Sequence, residues 1–276
     1  MSFPKRQHYV PRFYLKNFTI NGNEQLYVLD KNSNNIFYKN IQEICEQNYY
    51  YSFYDQNEYD FMLEEHLGKK ESEFSSVLRK LTDNIEGYYY NKNSCIGKLL
   101  HNDKRIILEF ILYQIIRVPK YIDELFSIVI PEFKQYNIED GIIQNEKQIK
   151  NDIKRYTFPK FFSRISEMTS ILRKKNWIFL IISKELDTSF LSSDNPVIIS
   201  NSDLQSPIRG ALIDPMTEIS IPISKNIALV LKQKTVKYKV NYNIINSLDN
   251  VNYINDLLLK NATRFAYSGK KSLLER

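Results

Sequence analysis

The chain has 276 residues, of which 43% are hydrophobic and 25% are charged, and its net charge is +6. This apolar content excludes a disordered chain, which combines low hydrophobicity with high net charge. The longest apolar stretch, residues 177–182, is too short to span a bilayer, and the opening residues lack the apolar run of a signal peptide. Because the only cysteines, Cys45 and Cys95, are isolated, we expect reduced thiols and a cytoplasmic protein without membrane contact.

The positive charge bears on the partner. A basic chain is weakly attracted to polyanions such as nucleic acid. The chain is also rich in Lys, Asn, Ile, Tyr and Phe, which A/T-rich codons supply without any selection for binding. The composition therefore admits nucleic acid as a partner without requiring it, and it does not define an oligomeric state.

The first 55 residues predict a β-rich region. Pro11 suits the first turn of a short helix, because its missing N–H costs nothing there. Residues 25–30 and 36–39 flank an Asn-rich turn, which predicts a hairpin. Residues 49–54, which are mostly tyrosine, are expected to form a third strand.

Residues 58–176 predict a helical block. Apolar residues recur at helical spacing from about Glu58, and a second helix is expected after Asn102 and Asp103. Pro119 should end that helix near Arg117. Further helical segments are expected over 120–130 and 141–176, interrupted by Pro131 and Pro159.

Residues 177–276 return to strands. The apolar run at 177–182 is typical of a strand buried on both faces. Further strand-like segments lie at 190–191, 197–199, 219–221, 227–231 and 236–240. An amphipathic helix is expected at 250–262 and a last strand at 264–268. The order predicts an α+β fold, with a mixed or antiparallel sheet built from the N-terminal hairpin and the C-terminal strands around a central helical block. We expect a single domain over residues 1–276.

The opening segment holds the first candidate site. His8 titrates near neutral pH and is a candidate general base, and Arg12 lies one helical turn away with a planar group that suits a phosphate or carboxylate. Tyr14 lies on the same short helix and is a candidate substrate contact. The alternative is that His8 and Tyr9 only tie the N-terminus to the core.

The second candidate is the polar stretch SSDNP at residues 192–196, between two apolar segments. Asp194 and Asn195 form either a turn that bonds its own backbone or a carboxylate and an amide placed for a ligand. We take Asp194 as a candidate catalytic residue and Asn195 as a candidate substrate contact.

A third candidate is a metal site. Glu64 and Glu71 are seven residues apart on one helix and share a face, with Glu73 further along. Glu64 and Asp194 could together hold Mg²⁺ or Mn²⁺, or these glutamates could form a solvated face paired with lysines.

Other charges have two interpretations as well. Arg117 is either a charge complement at the end of its helix or an anion contact. Alternating lysines either protect a sheet edge or line a polyanion groove; they are Lys232, Lys234, Lys237 and Lys239. The chain contains no phosphate-binding glycine loop, no zinc-protease motif and no nucleophile elbow.

The opening stretch, residues 7–18, reads QHYVPRFYLKNF and closely resembles the start of the domain-of-unknown-function family 4238 (DUF4238). Later landmarks agree in order: LYV at 26–28, the helix with Glu64 and Glu73, Arg117 before a proline, Trp177, FLSSDNPV at 190–197, IPIS at 221–224 and ATRFAYS at 262–268. The resemblance implies a single domain in a mostly bacterial, cytosolic family, and it implies no activity. Both polar clusters, around His8 and Asp194, fall in its signature segments.

Two functions fit these observations. The first is a nuclease-like hydrolase acting on RNA or DNA, in a role such as phage defence, with His8, Asp194 and Glu64 as catalytic residues. Arg12, Tyr14, Arg117 and Asn195 would bind the substrate. The second is a binding or regulatory module without catalysis, with a polar pocket for a small anionic ligand or a buried network that holds the N-terminus.

Overall fold

The computed structural model describes the backbone of residues 5–20, 22–55, 58–90, 96, 99–140, 146–201, 210–233 and 240–275. Side chains are described in these ranges except at 54–58 and 130–147. The described helices are α1 (Arg12–Leu15), α2 (Met62–Tyr89), α3 (His101–Arg117), α4 (Pro119–Asp140), α5 (Glu146–Leu172) and α6 (Leu248–Asn261).

Along the chain, strands both precede and follow this helical block, as predicted. The N-terminal strands are β1 (Arg6–His8), β2 (Gln25–Asp30), β3 (Asn35–Asn40), β4 (Glu46–Asn48), β5 (Phe53–Asp55) and β6 (Glu58–Asp60). The C-terminal strands are β7 (Asn176–Ile182), β8 (Ser192–Ser193), β9 (Ile198–Ser200), β10 (Glu218–Pro222), β11 (Ile227–Lys232), β12 (Val240–Ile245) and β13 (Phe265–Ser268).

One sheet joins the two ends of the chain. Its strand order is β3-β2-β13-β8, and all its pairs are antiparallel. Strand β13 therefore pairs with the N-terminal hairpin on one side and with Ser192 and Ser193 on the other. This confirms the prediction that the hairpin and the C-terminal strands combine in an α+β fold.

The second sheet is built from the C-terminal strands in the order β12-β7-β11-β10-β9. The β12–β7 pair is parallel and the other pairs are antiparallel. Strand β7 is paired on both sides, and Trp177, Phe179 and Ile181 on it are fully buried. Its continuous apolar sequence reflects this central position.

Helix α3 lies at the centre of the helical block and contacts α2, α4 and α5. Almost every side chain from Ile106 to Arg117 is buried, including the polar Glu109 and Gln114. The helix ends at Arg117, as predicted, because Pro119 begins α4. One cluster of buried apolar residues includes side chains from Tyr9 at one end of the chain to Tyr267 at the other. That the chain forms a single domain stays a prediction.

Three predictions of local structure were wrong. Helix α4 continues through Pro131, and Pro159 lies inside α5, where its neighbour Phe158 is 1% exposed. Packing of this kind outweighs the lost helical hydrogen bond that proline causes. Of the strand expected at 49–54, residues 49–51 form a turn, with Tyr49 at φ +53°, and only residues 53–54 belong to a strand, β5. Helix α2 begins at Met62 because β6 occupies residues 58–60.

Most of the strand expected at 236–240 lies outside the described residues, as do the predicted edge lysines Lys234, Lys237 and Lys239. Lys232 at the end of β11 forms an ion pair with Glu218 on the neighbouring strand. Among the helices that the structure describes, none is both long and apolar enough to cross a membrane.

Candidate functional site

The opening segment is held on its N-terminal side by β4 and the turn that follows. Strand β1 pairs antiparallel with β4, and this pairing places His8 opposite Glu46. The buried Gln7 amide donates to Ser52 Oγ at 2.7 Å, and Gln7 Oε1 accepts the Tyr51 N–H at 2.6 Å. Gln7 is therefore used entirely to hold the turn.

Beyond Pro11, the segment docks on the C-terminal half of the chain. Tyr14 Oη donates to the Pro222 carbonyl at 2.7 Å, and Asn17 Nδ2 donates to the Ile223 carbonyl at 3.1 Å. The Lys225 N–H donates back to the Asn17 carbonyl. Tyr14 is fully buried, so the structure uses the predicted substrate contact to join the two ends of the chain.

Asp194 performs a similar task. Its Oδ1 accepts the Thr263 N–H at 2.8 Å, and its Oδ2 accepts the N–H groups of Arg264 and Phe265 at 2.8 and 3.0 Å. The residue is 4% exposed, and burial raises the pKa of Asp194 although these three N–H groups oppose the shift. Both oxygens thus hold the start of β13, and neither faces a substrate.

Asn195 is engaged next to it. Asn195 Nδ2 donates to the Asn261 carbonyl at 3.1 Å, and Asn261 Nδ2 donates to the Asn195 carbonyl at 2.7 Å. This reciprocal pair ties the turn after β8 to the end of α6. The stretch predicted as a second site is therefore a junction between strands and a helix.

The two predicted clusters do approach each other, through a buried group of polar side chains. The Tyr9 hydroxyl is hydrogen-bonded to Cys45, and Cys45 Sγ donates to Tyr267 Oη at 3.0 Å. Burial raises the pKa of Tyr9, Cys45 and Tyr267, and the Asp194 carboxylate adds to each shift. His8, by contrast, lies opposite Glu46 on β4, and its carbonyl is bonded by Arg117 on α3.

The Arg117 side chain is 4% exposed. Its Nη2 donates to the His8 carbonyl at 2.7 Å and to Glu71 Oε1 at 2.6 Å, while Nε donates to Tyr51 Oη at 3.1 Å. Burial would lower the pKa of Arg117, but Tyr51 and Glu71 outweigh it and raise the pKa. This arginine positions the backbone of His8, and its Nε and Nη2 groups are bonded within the protein.

The residues so far hold the fold, and we call them the anchor residues: Gln7, Tyr14, Asn17, Arg117, Asp194 and Asn195. Two further side chains, His8 and Glu64, are half-buried and have shifted pKa values. We call these two, together with their charged neighbours, the acid–base cluster: His8, Arg12, Glu64 and Glu71.

His8 is half-buried between charges of both signs. Burial and the nearby guanidinium of Arg12 lower the pKa of His8, against the opposing effects of Glu46, of a hydrogen bond with the Ile41 backbone and of Glu71. Its Nε2 is buried and has no hydrogen-bond partner among the described residues. A lowered pKa leaves the imidazole neutral near pH 7, as a general base requires.

Glu64 shows the opposite shift. Burial raises the pKa of Glu64 to about 7; Arg117 opposes this shift, and Glu71 adds to it. Glu64 and Glu71 thus share a face of α2, as their spacing predicts, and both lie within electrostatic reach of Arg117. Glu73 points elsewhere and pairs with Lys70 and Arg105.

The predicted metal site does not fit this arrangement. Among the described residues, no group of three or more His, Cys, Asp and Glu side chains is placed to hold a metal ion. The two proposed ligands also differ in availability, because Asp194 is bonded to three backbone N–H groups whereas Glu64 lies beside Arg117. We therefore derive no step through Mg²⁺ or Mn²⁺.

Sequence reasoning missed the tyrosine that supports the cluster and the glutamine that aligns the segment. Tyr51 bonds the guanidinium of Arg117, and Gln114 Nε2 donates to the Tyr9 carbonyl at 3.0 Å. The tyrosine run at 49–51 is a visible signal for Tyr51, although tyrosines in a row favour a strand. Gln114 on an otherwise apolar helix is a second visible signal.

The protein has an α+β fold. Its opening segment contacts β4 and the following turn on one side and the C-terminal half on the other, and His8 and Arg12 of the acid–base cluster lie in it. The model of the family described as "Protein of unknown function (DUF4238)" matches residues 6–272, and the chain belongs to this family. Searches of curated proteins and of solved structures find no match.

Proposed function

We propose that the protein is a hydrolase that cleaves phosphodiester bonds in nucleic acid by acid–base catalysis. The observation that carries the proposal is the half-buried His8, whose Nε2 lacks a hydrogen-bond partner in the described structure. Arg12 and Glu71 act on its charge, and Glu71 also acts on that of Glu64. Such an activity would suit defence against phage.

The two titratable groups suit complementary roles. The neutral imidazole of His8 accepts the proton of the attacking hydroxyl or water. Glu64, with its pKa raised to about 7, keeps a proton near neutral pH and donates it to the leaving oxygen. Environments that shift a histidine pKa down and a carboxyl pKa up are a common way to assign base and acid at one pH.

Arg12 supplies the positive charge. It is exposed, and it is close enough to lower the pKa of His8. A guanidinium beside the reacting phosphate binds its oxygens and stabilises the charge that develops there. Arg117 acts indirectly, by bonding the His8 carbonyl and so positioning the imidazole.

Cleavage of labelled single-stranded RNA and DNA oligonucleotides by the purified protein tests this proposal. The variants His8→Gln and Glu64→Gln should each lose at least about 100-fold in rate. His101→Gln is the matched control, because His101 lies on the exposed start of α3. The wild-type rate should fall at acid pH as His8 is protonated and at alkaline pH as Glu64 ionises. Unchanged rates in both variants would refute the proposal.

The binding module is the second candidate, and the number of bonded anchor residues favours it. In that case Arg12 and His8 hold a small anionic ligand, and no bond is broken. Binding of a small anion without cleavage of any oligonucleotide, and loss of that binding in Arg12→Gln, would select this candidate over the hydrolase.

A further inference from the structure

A cleft of about 1020 Å³ lies outside the acid–base cluster, between the β4–β6 region and helices α4 and α5. It is at the upper end of the size range of small-molecule sites, roughly 300–1,000 Å³. The β1–β4 ribbon, the turn at Tyr49 and Tyr50, and the facing sides of the two helices supply its walls. No anchor residue lines it, so its chemistry is not explained by holding the fold.

The charge of the cleft is positive. Among the described side chains that line it are three lysines, Lys5, Lys150 and Lys154, and one carboxylate, Asp123. Lys150 Nζ is 2.8 Å from Asp123 Oδ1, and both groups remain partly exposed. Lysines from the opening segment and from α5 thus line one opening, which favours an anionic ligand.

One of these lysines is built into the wall. Lys154 is 6% exposed, its Nζ donates to the Tyr50 carbonyl at 2.7 Å, and Nζ lies 4.5 Å from the centre of the Tyr50 ring. Burial of a lysine side chain is uncommon, and a fixed ammonium group stabilises an anion more than a mobile surface one. Tyr50 itself is buried, and its hydroxyl has no hydrogen-bond partner among the described residues.

Aromatic side chains also line the cleft. The Tyr49 and Tyr59 rings stack with centres 4.1 Å apart and an interplanar angle of 13°, and Tyr59 is 39% exposed. Tyr49 has φ +53°, a conformation that bulky side chains rarely adopt. Backbone strain of this kind persists where the surroundings enforce it, and it concentrates at functional sites.

We propose that this cleft binds a nucleoside phosphate, with the base against the Tyr49–Tyr59 pair and the phosphate on Lys5, Lys150 and Lys154. Aromatic rings beside lysines are the combination that single-stranded nucleic acid requires, because bases stack and phosphates pair with cations. The same chemistry would bind a free nucleotide. The inference goes beyond the proposed function, because it assigns a ligand to a surface outside the acid–base cluster and holds whether or not any bond is cleaved.

Fluorescence anisotropy with a fluorescein-labelled single-stranded 12-mer tests the site, with AMP and inorganic phosphate as competitors. Tyr59→Leu removes the stacking surface but keeps an apolar side chain, and it should weaken binding roughly 5- to 150-fold. Tyr253→Leu is the control, because Tyr253 is exposed on α6 and does not line the cleft. A Tyr59→Leu affinity equal to that of the control would overturn the proposal.

The salt dependence tests the lysines. Lys150→Gln should weaken binding and reduce the slope of log K against log salt by about 0.7, the value for one phosphate contact on a single strand. Lys184→Gln makes the same charge change at an exposed residue away from the cleft and should leave the slope unchanged. Equal slopes in the two variants would contradict the proposed phosphate contact.

The competitors identify the source of the ligand. Displacement by AMP supports a free nucleotide, and binding of the 12-mer alone supports a strand. Inorganic phosphate that competes as well as AMP would overturn the role of the aromatic side chains, and failure of both the 12-mer and AMP to bind would overturn the proposal. If no oligonucleotide is cleaved but Tyr59→Leu still weakens binding, the proposed hydrolase fails and this site stands.

Discussion

The anchor residues and the acid–base cluster differ in how their polar groups are used, although both lie in or against the same opening segment. Asp194 and Arg117 are more deeply buried, yet their charged atoms are bonded to backbone groups or to a fixed partner. His8 and Glu64 are only half-buried and have shifted pKa values, and His8 Nε2 has no hydrogen-bond partner among the described residues. Neighbouring polar residues can therefore have different roles, in stability or in chemistry. Whether their hydrogen bonds are all made within the fold distinguishes the two roles.

The largest expected effect concerns Arg117. Arg117→Met leaves Glu71 half-buried without its cation and the His8 carbonyl without its donor, and it should reduce the free energy of unfolding by about 3–5 kcal/mol. The matched control is Arg164→Met, since Arg164 also pairs with a carboxylate, that of Glu167, but these two side chains are 62% and 59% exposed. That variant should lose no more than about 1 kcal/mol. Equal losses in urea unfolding would remove the distinction between the buried and the exposed pair.

Asp194 provides the next largest effect. Asp194→Ala removes a buried carboxylate that accepts three partly buried backbone N–H groups and should cost about 3 kcal/mol. Differential scanning calorimetry should show a drop of roughly 6–12 °C in Tm. Asp187→Ala serves as control, because its side chain is 98% exposed, and its Tm should stay within about 2 °C of wild type. A wild-type Tm for Asp194→Ala would show that the carboxylate does not hold β13.

The sequence predicts the helices and strands better than it predicts the roles of the polar side chains on them. The hairpin, the end of α3 at Arg117 and the buried strand β7 follow from local signals, namely an Asn-rich turn, a proline and an apolar run. Whether Asp194 faces a ligand or a backbone depends on residues 263–265, almost 70 positions away. No local pattern carries that information.

The failures have similar causes. A proline usually ends a helix, but α5 continues through Pro159, next to the buried Phe158. The tyrosine run at 49–51 has strand propensity, but Gln7 bonds the Tyr51 N–H and stabilises a turn. Tertiary contacts outweighed local preference in both places.

A smaller effect of opposite sign is expected at Glu64. Its pKa of about 7 in the folded protein exceeds the ordinary value of 4.5, so folding favours the protonated form. Its contribution to stability is then full below pH 4.5 and is lost as pH rises through about 7. Glu64→Gln should therefore stabilise the protein by about 1–2 kcal/mol at pH 8, after allowance for partial exposure, and change little at pH 4.

Urea unfolding at the two pH values checks this expectation, with Glu65→Gln as the control on the exposed side of the same helix. The control should stay within about 0.5 kcal/mol of wild type at both. A destabilised Glu64→Gln at pH 8 would indicate that Glu64 is an ionised anchor residue, and the acid–base cluster would lose its acid.

The most direct measurement is an NMR titration of the three histidine rings, with the His8 signal assigned by its absence in His8→Gln. Because burial and Arg12 disfavour the charged ring, the pKa of His8 should lie below 6.5, and Arg12→Gln should raise it. Folding stability from this group is then present above pH 6.5 and falls as the pH drops below that value. A His8 pKa at or above 6.5, unaffected by Arg12→Gln, would contradict the assignment of His8 as a neutral base.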